Sequence, residues 1–261
     1  MTYAPFDLAG KTALITGGNR GIGLGMARAL AASNANLAIW GRKEAANKAA
    51  VEALSSLGTG EVKGWAVDVS DEQAVIDATA DTVSELGRID SCFANAGIGA
   101  GASSFVEMDT ETWRKNMAVN LDGAFWTMRE SVKHIVERAK AGDPGGSIVG
   151  VASLAAIEGA ARNQAYAATK GGLISMLKGI AVEHARYGIR ANAILPGWIA
   201  TDMTAGGQES EVFASKVISR VPSRRWGTPD DFGGMAVYLA SDASSYHSGG
   251  TLVIDGGYSI F

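Results

Sequence analysis

Short apolar runs rich in β-branched residues alternate with longer helical stretches along the chain, and this alternation constrains the fold more than any other feature. Repeats of strand, helix and strand are typical of a parallel sheet with helices on both faces. The predicted strands are Thr12–Thr16, Leu37–Trp40, Val62–Val67, Ile89–Ala94, Ser147–Ala152, Arg190–Leu195 and Thr251–Ile254. The predicted helices are Ile22–Ala32, Glu44–Ser56, Glu72–Leu86, Thr110–Lys140, Gln164–Arg186 and Pro229–Ser241. We therefore predict an α/β fold of three α-β-α layers around a seven-stranded parallel sheet.

The order of elements runs through the chain without a linker, repeat or low-complexity segment, so residues 1–261 are predicted to form a single domain. The Gly142–Gly146 stretch is interpreted as a turn between a helix and a strand. The least regular stretch, Gly197 to Val221, follows the sixth predicted strand. Because ligands of open parallel sheets bind beyond the carboxyl ends of the strands, we expect this stretch to fold over a substrate.

The composition is that of an ordinary globular protein, and it argues against several classes of function. The chain is 47% hydrophobic and 19% charged, with a net charge of −4 and no basic stripe, so nucleic acid is not an expected partner. No apolar run reaches the roughly 18 residues of a membrane span. Met1 to Gly10 lacks the pattern of a signal peptide. The single cysteine, Cys92, is expected to pack in an apolar strand, and a cytoplasmic location is expected.

A metal centre is not expected. The histidines are dispersed, and no cysteine or histidine cluster has the spacing of zinc ligands. The three histidines are His134, His184 and His247.

A glycine-rich loop follows the first predicted strand, with the sequence Thr16-Gly17-Gly18-Asn19-Arg20-Gly21-Ile22-Gly23. Glycines there permit a tight turn and let backbone N–H groups approach a pyrophosphate at the start of the next helix. The spacing is G-x-x-x-G-x-G, which departs from the G-x-G-x-x-G fingerprint, and a plain glycine-rich connection is the alternative. In this position the loop predicts a Rossmann fold that binds a dinucleotide.

The end of the second predicted strand bears on which dinucleotide is bound. In the usual fingerprint an acidic residue about 20 positions after the loop binds the ribose 2′-hydroxyl. Here the strand ends in Ile39-Trp40-Gly41-Arg42-Lys43, without a carboxylate. The Arg42 guanidinium suits a 2′-phosphate, and Arg20 offers a second positive charge. The sequence therefore favours NADP over NAD.

A tyrosine and a lysine four residues apart lie on one predicted helix, in Tyr166-Ala167-Ala168-Thr169-Lys170. Residues at this spacing share a helical face, so Lys170 would stand close enough to stabilise a phenolate. Proton exchange near neutral pH requires the pKa of the phenol to fall by roughly three units from about 10. A solvated helical pair is the alternative for these two residues taken alone.

With the other motifs added, the chain resembles the short-chain dehydrogenase/reductase family, in its basic single-domain branch, over essentially all of its length. The glycine-rich loop matches the T-G-x-x-x-G-I-G loop of that family, and Asp68-Val69 matches the site that contacts adenine. Asn95-Ala96-Gly97 matches the turn that supports the cofactor. Pro196-Gly197 with Thr201 matches the segment that holds the nicotinamide carboxamide, and Asp255-Gly256-Gly257 matches the last-strand signature.

The resemblance implies a catalytic tetrad of Asn120, Ser153, Tyr166 and Lys170. Ser153 would hydrogen-bond the substrate oxygen, and Tyr166 would pass a proton to or from it. Lys170 would lower the pKa of the phenol and hold the nicotinamide ribose, while Asn120 would anchor a water in the proton relay. The implied cofactor-binding residues are Gly17, Asn19, Arg20, Gly21, Ile22, Gly23, Arg42, Asp68, Val69, Asn95, Ala96, Gly97, Tyr166, Lys170, Pro196, Gly197, Ile199 and Thr201.

Residues next to these motifs are expected to line a mainly apolar substrate pocket. The residues of this set are Ile98, Leu154, Ala155, Gln164, Trp198 and Met203. Glu158, Arg162 and Asn163 could add polar selectivity, although surface placement is the expectation for each.

The expected activity is NADP(H)-dependent interconversion of a ketone and a secondary alcohol. Within that class the chain is similar to 3-oxoacyl carrier-protein reductases, sugar and polyol dehydrogenases and ketone reductases, and an NAD-preferring polyol dehydrogenase stays open. Carrier-protein reductases usually place an arginine before a glutamate after the Y-x-x-x-K helix segment, whereas this chain has Val182-Glu183. A non-catalytic dinucleotide sensor is a remote alternative, because such proteins typically lose the tyrosine or the lysine.

The resemblance also implies a homotetramer, with a dimer as the alternative. Two helices carry apolar residues on more than one face, and a second apolar face is usually covered. Core packing is the competing explanation. The residues concerned are Trp113, Met117, Phe125, Trp126 and Met128 on Thr110–Lys140, and Leu173, Ile174, Met176, Leu177 and Ile180 on Gln164–Arg186.

Overall fold

The computed structural model describes residues 4–261. Within them, seven strands form one parallel sheet in the order β3-β2-β1-β4-β5-β6-β7. The strands are β1 Thr12–Thr16, β2 Asn36–Gly41, β3 Val62–Ala66, β4 Ser91–Ala94, β5 Gly146–Val151, β6 Ile189–Pro196 and β7 Thr251–Ile254. The predicted α/β fold with three layers and a seven-stranded parallel sheet is therefore confirmed.

The helices cover both faces of the sheet. They are α1 Gly21–Ala32, α2 Glu44–Ser55, α3 Glu72–Leu86, α4 Thr110–Met117, α5 Gly123–Lys140, α6 Ala155–Glu158, α7 Gln164–Glu183, α8 Ala205–Glu209, α9 Glu211–Arg220 and α10 Gly233–Ala240. One core cluster contains Leu14, Cys92 and Ile148, and the other contains Ile15, Phe93 and Val149. Neighbouring residues of a central strand thus belong to opposite faces, as the pleat requires.

The apolar sequence of the central strands follows from this double coverage. All five residues of β1 are buried, as are the four residues of β4. A strand covered on both sides has no solvent face, so its sequence is a nearly continuous run of apolar and small residues instead of an alternation. Cys92 in β4 is fully buried, in agreement with the expected packing role.

Three predicted helices differ from the structure in their internal form. Thr110–Lys140 is not uniform, because the π-helical segment Ala118–Asp122 separates α4 from α5. The helix predicted to reach Arg186 ends at Glu183 and passes into the 3-10 turn Ala185–Tyr187. Pro229–Ser241 begins as the 3-10 turn Pro229–Phe232, where Thr228 and Asp231 form a capping box, and continues as α10.

The stretch predicted to be least regular is partly helical. Residues 197–221 contain α8 and α9 together with the 3-10 turn Asp202–Thr204. Its helices are short, at five and ten residues, and this explains why their period is weak in the sequence. The side chain of Ser210 accepts a hydrogen bond from the backbone N–H of Phe213, which starts α9.

The sheet topology places the predicted functional segments at the carboxyl ends of the strands. The strand order changes direction between β1 and β4, since the chain moves outward to β3 and then returns to the other side of β1. Loops that follow the carboxyl ends of the strands on either side of such a point form a crevice in which dinucleotides bind. The glycine-rich loop follows β1, and Asn95-Ala96-Gly97 follows β4.

Candidate active site

The loop after β1 has the conformation that its glycines permit. Gly17 and Gly21 have φ angles of 63° and 51°, in the left-handed region that residues with a side chain avoid. A Cβ on Gly23 would lie 2.2 Å from the carbonyl oxygen of Gly17, so the helix can approach the loop only with glycine there. Within the described chain, Arg20 is the N-cap of α1 and its side chain makes no capping bond. The first N–H groups of α1 therefore remain available to an anion.

The turn after β4 is tied directly to this loop. The Asn95 amide Nδ2 donates to the carbonyl oxygens of Thr16, at 2.9 Å, and of Gly17, at 3.3 Å. The Thr16 hydroxyl oxygen accepts from the backbone N–H groups of Asn95 and Ala96, both at 3.0 Å. These four bonds fix the two sides of the crevice relative to each other.

Asn47 on α2 holds the glycine-rich loop through Asn19 and was not identified from the sequence as a site residue. Its side chain is buried, with an exposed fraction of 3%. Asn47 Nδ2 donates to the carbonyl oxygens of Gly41 and Trp65, each at 2.8 Å, and its Oδ1 accepts from Asn19 Nδ2 at 2.6 Å. A Cβ on Gly41 would lie 2.3 Å from Asn19 Nδ2. The position of Asn19 in the loop thus depends on a residue of the second helix.

The two arginines predicted to bind a 2′-phosphate lie in different surroundings. The Arg42 side chain is exposed after β2, and its charge lies close enough to act on Asp68. Partial burial raises the pKa of Asp68, but hydrogen bonds from Ser70 and the charge of Arg42 outweigh it, and that pKa is lowered overall. Arg20 instead pairs with the Asp202 carboxylate at 3.5 Å.

Ser153 and Tyr166 come together beyond the end of β5. Ser153 follows β5 by two residues, and Tyr166 is in the first turn of α7. Burial raises the pKa of Tyr166, and the hydrogen bond from Ser153 lowers it without cancelling the effect of burial. The sequence predicted a lowered pKa for this phenol. In the protein alone the opposite holds, because the phenolate would lose more solvation than the neighbouring hydroxyl returns.

Lys170 lies one helical turn after Tyr166 and is buried, with an exposed fraction of 4%. Its ammonium lies 5.6 Å from the centroid of the Tyr166 ring and donates to the carbonyl oxygen of Val151 at 2.7 Å. Burial lowers the pKa of Lys170 from 10.5 to about 8. The lysine is thus held at the end of β5, on the phenol side of the crevice.

Asn120 occupies the π-helical segment between α4 and α5. Its Oδ1 accepts from the backbone N–H of Ile98 at 2.8 Å, and its Nδ2 donates to the carbonyl oxygen of Ile98 at 2.9 Å. A Cβ placed on Gly97 would lie 3.3 Å from Asn120 Oδ1 and 3.5 Å from Lys170 Nζ. All three residues therefore border one small space. π-Helical insertions are frequent at functional sites, because they change which side chain faces inward.

The segment after β6 closes the crevice on the far side. Gly197 donates from its N–H to the carbonyl oxygen of Ile254 at 3.0 Å, and a Cβ on Gly197 would lie 2.6 Å from Asp255 Cβ, so only glycine fits there. Ile199 is buried, with an exposed fraction of 4%. A Cβ on Gly21 would lie 3.5 Å from Thr201 Cγ2, so Thr201 faces the glycine-rich loop.

The residues predicted to line the substrate pocket separate into several environments. Leu154 is buried, and Met203 is exposed at 55%. Trp198 packs edge-on against Phe213, Trp226 and Tyr258, with ring centroids 5.2, 5.9 and 6.3 Å away. Its partners Phe213, Trp226 and Tyr258 were not identified from the sequence. The other members of the set, Ile98, Ala155 and Gln164, are half-buried.

The three polar candidates also differ from one another. Glu158 and Arg162 are exposed, as predicted. Asn163 is half-buried, so the predicted surface placement is wrong for it. Gly99 lies close to both Asn163 and Met203. A Cβ on Gly99 would lie 3.8 Å from Asn163 Nδ2 and 3.7 Å from Met203 Sδ.

These features fit a dinucleotide. The close approach of Gly23 to Gly17 and the free N–H groups of α1 are what a pyrophosphate requires, and Lys170 beside Gly97 offers a donor to a nicotinamide ribose. Among residues 4–261, no three His, Cys, Asp or Glu side chains are grouped so that they could hold a metal ion. None of the helices in the same range is long and apolar enough to cross a membrane.

Comparisons with known proteins agree with this geometry. A family model described as enoyl-(acyl carrier protein) reductase matches residues 17–259. The 3-oxoacyl-[acyl-carrier-protein] reductase of Chlamydia pneumoniae is 36% identical over 250 residues, which cover 96% of this chain and 97% of that protein. The 2-dehydro-3-deoxy-D-gluconate 5-dehydrogenase of Pseudoalteromonas atlantica is 37% identical over 254 residues, covering 97% of each chain.

A solved structure shows the same fold with a nucleotide present. A protein from Agrobacterium tumefaciens, described as a 2-deoxy-D-gluconate 3-dehydrogenase, was solved with bound NADP. It superimposes with a TM-score of 0.90 at 32% identity, covering 98% of this chain and 99% of that one. Matches of this extent, together with the Rossmann fold and a serine, tyrosine and lysine gathered at the crevice, show that the chain is an oxidoreductase of the short-chain dehydrogenase/reductase family.

Proposed function

We propose that this protein interconverts a ketone and a secondary alcohol by hydride transfer with NADP(H), and that Tyr166 donates or accepts the proton. One observation carries the proposal: the hydroxyl of Ser153, the phenol of Tyr166 and the ammonium of Lys170 lie together at one end of β5, and Gly97 lies beside the lysine. A carbonyl oxygen there would meet two hydroxyl donors. We also propose that residues 1–261 act as one catalytic domain.

Each of the four predicted catalytic residues has a distinct task in this reaction. The bound nicotinamide supplies or accepts the hydride. Ser153 hydrogen-bonds the substrate oxygen, and Tyr166 transfers the proton. Tyr166 is largely neutral at pH 7 because burial raises its pKa, so the protein alone is ready to donate in the direction of ketone reduction. Lys170 holds the ribose and supplies positive charge beside the phenol. Asn120 anchors the proton relay at Ile98.

The proposed preference for NADP over NAD rests on Arg42. Its guanidinium is exposed at the end of β2, where the ribose 2′ position of a bound dinucleotide lies, and no carboxylate occupies the strand end. Arg20 contributes less to this preference than the sequence predicts, because Asp202 already neutralises part of its charge. The NADP in the Agrobacterium tumefaciens protein supports the same assignment.

Two other activities are compatible with the fold. Reduction of a 3-oxoacyl carrier protein is supported by the Chlamydia pneumoniae relative, but the exposed position before Glu183 is Val182 instead of an arginine. An NAD-preferring sugar or polyol dehydrogenase is supported by the gluconate-type relatives. A non-catalytic dinucleotide sensor is disfavoured, because Tyr166 and Lys170 are both present and adjacent.

We further propose a homotetramer located in the cytoplasm. Met128, Leu173 and Leu177 are fully buried, so core packing accounts for these members of the apolar set. Phe125 is 42% exposed, and with Met176 it lines a shallow groove between α5 and α7. Pairing of these helices with a second copy would cover that groove. Light scattering at micromolar concentration tests this assembly, and a clean monomer mass contradicts it.

The activity is tested by following NADPH absorbance with a panel of ketones. The panel spans acyl thioesters, cyclic ketones, keto-sugars and aryl ketones, and the same series is repeated with NADH. NADPH oxidation that depends on a ketone supports the proposal. Absence of oxidation with every member, in a protein that binds NADPH, contradicts it.

A further inference from the structure

Asn163 is the N-cap residue of α7, yet in the described structure its side chain makes no capping bond. Asparagine is favoured at this position because its Oδ1 ordinarily accepts from an N–H of the first helical turn. Here Oδ1 is buried without a hydrogen-bond partner among the described residues. A buried carbonyl without a donor is costly, so an oxygen in this state calls for an explanation.

The position of Asn163 on the helix relates it to Tyr166 and Lys170. It precedes them by three and seven residues, which is about one and two turns along the helix axis, and as the N-cap it has non-helical backbone angles, with φ −136° and ψ 37°. The N–H of Ala167 donates to the carbonyl oxygen of Asn163 at 3.1 Å, so the first intrahelical hydrogen bond of α7 starts at this residue. A rise of about 1.5 Å per residue puts the backbones of Asn163 and Tyr166 roughly 4.5 Å apart along the axis.

The surroundings of the amide belong to the substrate side of the crevice. Asn163 Nδ2 lies against Gly99, and Met203 Sδ lies against the same glycine. The segment that contains Gly99 is fixed from behind, since Asn116 Nδ2 donates to the carbonyl oxygen of Ala100 at 2.8 Å. The amide of Asn163 therefore stands beside a fixed wall, one helical turn from the phenol.

We propose that Asn163 is a specificity-determining residue that hydrogen-bonds a hydroxyl group of the substrate one or two carbons from the reacting carbon. An amide offers an acceptor and a donor, and a hydroxyl is the small neutral group that satisfies either. The substrate class is accordingly α- or β-hydroxy ketones and the corresponding diols, rather than plain alkyl ketones. This inference rests on the proposed function and narrows its substrate.

The test compares matched ketones with and without the hydroxyl. The pairs are 3-hydroxybutan-2-one with butan-2-one and 2-hydroxycyclohexanone with cyclohexanone, each assayed by NADPH oxidation. One hydrogen bond to a buried group corresponds to roughly tenfold in kcat/KM, and we expect the hydroxy ketone of each pair to be favoured by about that factor. Equal kcat/KM values within both pairs would overturn the inference and leave the proposed function intact.

Variants at Asn163 distinguish hydrogen bonding to the substrate hydroxyl from the effect of side-chain shape. Asn163→Leu keeps the branched shape of the side chain and cannot hydrogen-bond, so it should bring the ratio within each pair close to one. Asn163→Asp keeps the acceptor oxygen and should retain most of the ratio. Equal loss of the ratio in both variants would overturn the inference, because shape alone would then explain it. The KM for NADPH reports in each case that the cofactor site is intact.

Gln73 provides the control for loss of an amide away from the site. It is exposed on α3, where its Nε2 donates to Asp77 Oδ1 at 2.8 Å. Gln73→Leu should leave the ratio of each pair in place. Loss of the ratio in Gln73→Leu together with its retention in Asn163→Leu would overturn the assignment to Asn163. NADPH oxidation with none of the four ketones and none of the wider panel would overturn the proposed function, and this inference with it.

Discussion

The guanidinium of Arg20 lies 3.5 Å from the carboxylate of Asp202, and this ion pair joins the loop after β1 to the segment after β6. Both side chains are exposed, at 61% and 82%, so the pair itself contributes little to stability. The ion pair should weaken NADP binding, because Asp202 competes with a cofactor phosphate for the charge of Arg20.

Asp202→Asn should therefore strengthen NADP binding. Releasing one exposed ion pair is worth up to about 1 kcal/mol, or roughly fivefold in KM for NADP. The KM for NAD should not change. Asp230→Asn is the matched control, since it breaks the exposed pair between Arg28 and Asp230 at 3.2 Å. A KM for NADP that is unchanged or higher in Asp202→Asn would show that Arg20 does not reach the phosphate.

Tyr166→Phe should lower turnover by about 10²- to 10⁴-fold, because it removes the proton donor and keeps the ring. NADPH affinity, measured by fluorescence titration, should be nearly the same as in the wild type. Tyr187→Phe, on the 3-10 turn after α7, is the control for loss of a phenol elsewhere. A Tyr166→Phe enzyme with most of its turnover would refute the proposed role.

Arg42→Ala should raise the KM for NADP by roughly 10- to 100-fold, since a hydrogen bond to a charged phosphate contributes about 1.5–3 kcal/mol. The KM for NAD should stay almost constant. Lys43→Ala removes the neighbouring exposed charge and should affect NADP far less. Equal effects of Arg42→Ala on both cofactors would mean that Arg42 does not recognise the 2′-phosphate.

Lys170 makes the stability of the cofactor-free protein depend on pH. Burial lowers its pKa from 10.5 to about 8, so between these pH values the unfolded chain binds more protons than the folded one. The free energy of unfolding should therefore rise with pH across that window. The cost of the buried charge is fully present below the folded pKa and is relieved above it. Tyr166 stays neutral through most of this range, because its pKa is raised.

Lys170→Met should remove this cost. At pH 7 its free energy of unfolding should exceed that of the wild type by at most about 3 kcal/mol, because the shift corresponds to 1.36 kcal/mol per pKa unit. The gain is reduced by the hydrogen bond to Val151 that the variant loses. Urea unfolding at several pH values measures the difference, which should shrink above pH 8. A constant difference across this pH range would argue against a buried ammonium.

Asn47→Leu should destabilise the protein by about 2–4 kcal/mol, because it leaves the carbonyl oxygens of Gly41 and Trp65 buried without their donor. The KM for NADP should rise as well, since Asn19 loses its anchor in the loop. Lys48→Ala, at the exposed position next along α2, should change neither quantity appreciably. Normal stability of Asn47→Leu would show that water replaces the amide.

Local patterns predicted most of the architecture. The strands β1 and β7 and the helix α3 have the predicted bounds, and Gly87 in the left-handed conformation ends α3 as a C-cap. The π-helical segment around Asn120 was not predicted, because an insertion of one residue per turn changes the side-chain direction without changing composition. The helices α8 and α9 were not predicted, because five and ten residues are too few for a clear helical period in the sequence.

The site was predicted unevenly for a similar reason. Ser153, Tyr166 and Lys170 were identified, because their spacing and the position of their segments carry a signal. Asn47 had none, since an asparagine on a helix is ordinarily an exposed polar residue and its role depends on β2 and β3 lying beside it. Asn163 was expected at the surface together with Glu158 and Arg162, because polar side chains are mostly exposed, and its partial burial depends on segments distant in the chain.

The sequence by itself determined the order of strands and helices, the glycine loop and the face shared by Tyr166 and Lys170, because each depends on residues that are close in the chain. Only the tertiary structure decided the protonation tendency of that pair. Burial raises the pKa of Tyr166 and lowers that of Lys170, and burial is set by segments brought together from β5, α7 and the turn after β4. It also decided that Arg20 faces Asp202, since residues 182 positions apart meet only when the sheet has formed.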